Sequence, residues 1–81
     1  MPKIIEWRGY KFFFFSNEGS PLEPCHIHVR KGASIAKFWI EPEITLHSSY
    51  EMTSKELAQI RKVIEKNNKL IWRKWNEFFS Q

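Results

Sequence analysis

The chain has a single cysteine, Cys25, which excludes an intrachain disulfide and any cysteine zinc cluster and fits a reducing cytosol. Long apolar runs are equally scarce. The longest, Phe12 to Phe15, is far short of the ~20 residues that a membrane-crossing helix needs. No charged-then-apolar leader opens the sequence, so a cytoplasmic protein without membrane contact is expected. Length is limited too. A chain of 81 residues can hide only about 60% of its unfolded surface, which implies one domain (1–81) and makes a partner or a homo-oligomer a reasonable expectation. Acidic residues run short only toward the C-terminus. Residues 1–52 carry six Lys/Arg against six Glu, whereas residues 53–81 carry seven against three, so the whole net charge of +4 lies in the last third.

Aromatic residues compensate for the small core. They make up 16% of the chain, and each ring can remove roughly 150–250 Å² from water. The pattern before residue 47 is that of a sheet. Lys3 to Arg8 alternates, and Tyr10 to Phe15 is dense enough in rings for a strand covered on both faces. Asn17-Glu18-Gly19-Ser20-Pro21 is a loop by composition, and Gly32 allows a reversal into Ser34 to Ile40, which Pro42 ends. Ile44 to Leu46 is at most a short extra strand. Beyond it, Thr53-Ser54-Lys55-Glu56 is a capping box, with Met52 placed to staple onto Leu57. Apolar residues then recur at Leu57, Ile60, Ile64, Ile71, Trp75 and Phe78. This spacing predicts one long helix over 53–79, bent near Asn67-Asn68; a stop there followed by a short second helix is the alternative. The expected fold is α+β: an antiparallel sheet of three to four strands within 1–47, packed on that helix.

The candidate chemistry sits in Glu23-Pro24-Cys25-His26-Ile27-His28-Val29-Arg30. As a strand it sends His26, His28 and Arg30 to one face, and Cys25, Ile27 and Val29 to the other. His serves where a proton, a metal or an anion is handled near neutral pH. A metal would need a third ligand, His47, Glu23 or Glu18, and nothing in the spacing demands one, so no metal or other cofactor is expected. Cleavage of an RNA phosphodiester needs a base, an acid and a cation for the developing charge. His26 and His28 supply the first two, and Arg30, Lys31 or Lys37 the phosphate contact. The plain alternative is that both His residues hydrogen-bond within a small sheet. Lys37, between Ile35 and Trp39 on one side of its strand, is either a guard against edge aggregation or an anion contact. Cys25, between Pro24 and His26, reads as a buried structural thiol. Trp39 and Trp75 read as core and Trp72 as exposed or at an interface.

On a continuous helix, Lys55, Lys62, Lys66, Lys69 and Arg73 align opposite the apolar stripe as a basic ridge about 27 Å long. Such a ridge is either a solvated face or a contact for nucleic acid or an acidic protein.

Four elements carry a resemblance. They are Glu23-Pro24-x-His26-Ile27-His28-Val29-Arg30-Lys31-Gly32, then Ala36-Lys37-Phe38-Trp39-Ile40-Glu41-Pro42, and last Trp75-Asn76-Glu77-Phe78-Phe79, with Ser16-Asn17-Glu18-Gly19 ahead of them. Together they resemble the small bacterial proteins grouped as domain of unknown function 4160, over nearly the whole chain. The resemblance implies a neighbouring gene that encodes a second small protein, and a module of the toxin–antitoxin type. It brings no catalytic residues with it. His26, His28, Gly32 and Lys37 match recurrent family positions, while Cys25 stands where many relatives have Pro. The functional expectation is therefore a toxin-like component acting on RNA. A non-enzymatic module that binds the neighbour's product is the alternative.

Overall fold

The computed structural model describes residues 3–15 and 23–79. The predicted loop over Asn17 to Pro21, and Glu18 as a ligand candidate, lie outside the described residues. Five strands, β1 (Lys3–Trp7), β2 (Tyr10–Phe13), β3 (His26–Lys31), β4 (Ser34–Trp39) and β5 (Thr45–Tyr50), are followed by α1 (Ser54–Lys66) and α2 (Asn68–Phe79). Each strand pairs antiparallel with the next, giving the order β1-β2-β3-β4-β5. The α+β class is as expected, but the sheet has five strands rather than three or four and runs to Tyr50. The short extra piece expected over Ile44 to Leu46 is the start of the fifth strand; its extent was hidden because Leu46-His47-Ser48-Ser49 alternates poorly, and the register supplies the reason. Lys37 pairs with Ser48 while Phe38 pairs with Leu46, so His47 is an extra, bulged residue.

The turns follow local chemistry. Trp7 pairs with Tyr10, leaving Arg8 and Gly9 as a two-residue turn with φ of +49° and +83°, the geometry that matches strand twist. Lys31 pairs with Ser34, and Gly32 (φ +59°) takes the left-handed position.

Helices cover one sheet face. Ile60 and Ile64 of α1 and Ile71 and Trp75 of α2 are buried with Phe12, Phe14, Ile27, Val29 and Phe38. Each such side chain contributes roughly 1.5–3 kcal/mol by leaving water. The expected single helix is two. Asn67 leaves helical geometry (φ −110°, ψ 19°), its N–H is shared between Val63 O and Ile64 O, and its Nδ2 donates to Val63 O at 2.8 Å. A short amide that competes for the last carbonyls is a good terminator. On α2 the core side is carried by Trp75 and Phe79, whereas Phe78, placed on the stripe from the sequence, is 42% exposed.

The start of α1 is the predicted capping box: Glu56 N–H donates to Thr53 Oγ1 (3.1 Å) and Thr53 N–H to Glu56 Oε1 (2.9 Å). The remaining oxygen, Oε2, accepts from Tyr10 Oη at 2.5 Å, tying the helix start to β2. The Thr53 backbone N–H and the Tyr10 hydroxyl hold the Glu56 carboxyl below its ordinary value. A carboxyl lowered on folding stabilises above its unfolded pKa, and that contribution is lost as pH falls through the folded value. Glu56→Gln is therefore expected to lose less stability than wild type between pH 7 and pH 3, read as the shift in urea midpoint. Equal losses would mean that this carboxyl is not held.

Candidate functional site

The sheet face away from the helices carries the predicted site, in rows that cross the strands. One row is Lys3, Phe13, His28, Lys37 and Ser48; the next is Glu6, Lys11, Arg30, Ile35 and Tyr50. Directly opposed residues on paired strands share a face, so these ten side chains belong to one surface. His28 and Lys37 are half-buried and Lys11 and Arg30 exposed, while Ile35 and Tyr50 are 43% and 60% exposed. A groove of about 300 Å³ runs along this face, lined by Phe13, Phe15, His28, Arg30, Ile35 and Ser48 among others. The alternation of β3 therefore places His28 and Arg30 together as expected. Phe15, 37% exposed, and Tyr50 join them; the sequence reading missed Tyr50 because it stopped the strand short.

His26 departs from the expectation. By parity it belongs with His28, and in the register it faces Trp39, yet it is fully buried. Its ring lies 5.3 Å from those of His28 and Trp39 and 5.1 Å from that of Trp75 on α2. Nδ1 is 2.9 Å from Pro24 O, and because a carbonyl only accepts, Nδ1 carries the proton. Trp75 closes over the start of β3, with Phe14 edge-on at 5.1 Å and Phe79 at 4.3 Å behind it. The two imidazoles touch, but they do not stand in solvent together. His28 is the one at the groove, packed against Phe15 (4.4 Å) and Phe13 (5.7 Å).

Lys37 places its Nζ 4.6 Å over the Trp39 ring, so it is held at the surface of this face as a cation–π pair. Lys31, the other expected phosphate contact, is not on this face. It has the parity of Ile27 and Val29, and its Nζ sits 4.8 Å over Tyr10, beside Glu56. Lys62, Lys66, Lys69 and Arg73 are exposed, but the break at Asn67 divides the ridge into two pieces.

His47, a candidate third ligand, has Nδ1 2.9 Å from Ser48 Oγ and its ring edge-on to Trp39 at 5.4 Å. Among the described residues no three His, Cys, Asp or Glu side chains come together as a metal site. Cys25 is buried; desolvation, then the nearby Glu41 carboxylate, push its thiol up to about 12, so it is a neutral core group. No described helix is long and apolar enough to cross a membrane.

No curated protein and no solved structure matches the chain. The family described as Domain of unknown function (DUF4160) matches residues 9–76, from the first hairpin turn to just past Trp75. That span takes in β2 to β5, α1 and most of α2, with the groove and with Trp39 and Trp75, which close around His26, and the chain therefore belongs to the Domain of unknown function (DUF4160) family.

Proposed function

We propose that this chain is the RNA-contacting, toxin-like component of a two-gene bacterial module, and that it holds single-stranded RNA on the open face of its sheet. The observation that carries this reading is the mixture on that face: Lys11, Arg30 and Lys37 between Phe15, His28, Trp39 and Tyr50. Cations neutralise phosphates, and rings stack on bases whatever their sequence, each stacked base contributing about 1–3 kcal/mol. The gene context implied by the family supports the two-gene part. The burial of His26 favours holding over cutting, because acid–base cleavage needs both imidazoles at one phosphodiester.

The second reading is a non-enzymatic module that binds the neighbouring gene's protein product. Exposed Ile35 and Tyr50, in one row with Lys11 and Arg30, favour it. Salt separates the two. With three phosphate contacts on a single strand, the logarithmic salt slope is about −2, and affinity for a labelled 12-nucleotide oligouridylate should fall about 20-fold between 50 and 200 mM salt. The double variant Arg30→Ala with Lys37→Ala should bring the slope to about −0.7. Absence of binding at 50 mM salt, or an unchanged slope in the variant, rejects the RNA reading. Tight capture of the neighbour's product on this face would then support the second.

A further inference from the structure

A second groove, of about 410 Å³, lies elsewhere among the described residues, between β1 and α1. Its floor is Ile5, Trp7 and Val63, all half-buried, and Lys62 and Lys66 overhang it from α1. The charges here are unmatched. Of the three carboxylates in the helical part, Glu56 is engaged by Thr53 and Tyr10, Glu65 by Arg61 at 3.4 Å and Glu77 by Lys74 at 3.8 Å. Glu6, on the opposite wall, is held by Lys3 at 2.8 Å. Among the described residues neither Lys62 nor Lys66 has a carboxylate within ion-pair distance.

We propose that this groove docks an acidic peptide segment of a partner protein, with an apolar anchor on Ile5, Trp7 and Val63 and carboxylates on Lys62 and Lys66. Charge complementarity selects the sign of the partner, and the half-buried apolar floor selects the anchor. Nucleic acid fits less well. Trp7 stacks on Tyr10 (5.8 Å, 25° between planes) and Arg8 lies over the Trp7 ring at 5.0 Å, so a base stacking on the indole would compete with contacts already made. The same stack makes the wall rigid: Tyr10 is fixed by Glu56 and by Lys31, whose Nζ sits 4.8 Å over its ring. A preformed wall lowers the ordering cost of docking. This surface is separate from the groove on the open sheet face, and the proposal stands or falls independently of RNA contact there.

The test is a titration of the ¹⁵N-labelled chain with the synthetic peptide Asp-Glu-Leu-Phe-Asp-Glu. Comparison ligands are the same peptide with its four acids replaced by Lys, and the 12-nucleotide oligouridylate. Saturable shifts of the Trp7 indole and of the Val63 and Lys66 amides are expected with the acidic peptide alone. Affinity should fall at least tenfold in Lys62→Glu with Lys66→Glu, and this variant should instead take up the Lys-flanked peptide. Both positions are exposed on α1, and circular dichroism of the variant establishes that it is folded. The proposal is overturned if the acidic peptide gives no saturable shifts, or if acidic and basic peptides bind alike. Shifts of these signals by the oligonucleotide but not by the acidic peptide would identify a nucleic-acid site instead.

Discussion

Trp75→Ala is expected to remove at least a quarter of the chain's stability. The indole is 4% exposed and makes ring contacts with Phe14, Phe79 and His26, joining α2 to the end of β2 and to the start of β3. Truncating a buried Trp costs about 3–5 kcal/mol. A domain of this size has roughly 4–12 kcal/mol in total, at 0.05–0.15 per residue, so the loss is between a quarter of the stability and all of it. Urea unfolding followed by circular dichroism measures it. With a slope near 1 kcal/mol per M, the midpoint should move down by about 3 M or the transition should vanish. A shift under about 1 M would show that α2 is not held to the sheet through this ring.

The second large effect distinguishes the two imidazoles. His26→Ala leaves a cavity inside a closed ring cluster and leaves the Pro24 carbonyl without its donor. The cavity and the lost hydrogen bond together cost about 2–4 kcal/mol. His28→Ala, at the half-buried groove position, is expected to cost no more than about half as much. Its effect should appear in RNA affinity, because the ring lies beside Phe15 and in one cross-strand row with Lys37. Melts of both variants, with oligouridylate binding of each folded form, read the difference. If His26→Ala is neutral to stability while both variants abolish oligouridylate binding equally, the pair acts in concert and His26 has a direct role in the site.

How much of this was legible beforehand differs from element to element. The capping box at Thr53 and Glu56 is a local motif of four residues, and local hydrogen bonds need no tertiary information. The alternation of β3 placed Ile27 and Val29 inward and His28 and Arg30 outward, as found. The same rule, carried one residue further, assigns Lys31 to the helix side, where it meets Tyr10 and Glu56 rather than a phosphate. The break at Asn67 was visible as an alternative. An apolar stripe that keeps its phase across a pair of Asn residues does not reveal that the first amide caps a helix end. Of β5 only the start was legible, as a short piece over Ile44 to Leu46; the rest escaped because a bulge at His47 disrupts the period of two, and the bulge exists only in the pairing with β4.

Periodicity and capping chemistry, read from the chain alone, determined the α+β class, the position of most strands, the start of α1 and the inward or outward sense of the β3 interior. These features depend on neighbours within a few residues, whose geometry the backbone dictates. The fate of His26 was decided only in three dimensions. Its parity points it to the open face, yet Trp39 from β4 and Trp75, 49 positions away on α2, close around it. A strand's period says which side a residue leaves from; what waits on that side depends on where distant elements pack. The same holds for the groove between β1 and α1. Ile5, Trp7, Lys62 and Lys66 have no pattern in common along the sequence, and they become one surface because the fold brings α1 beside β1.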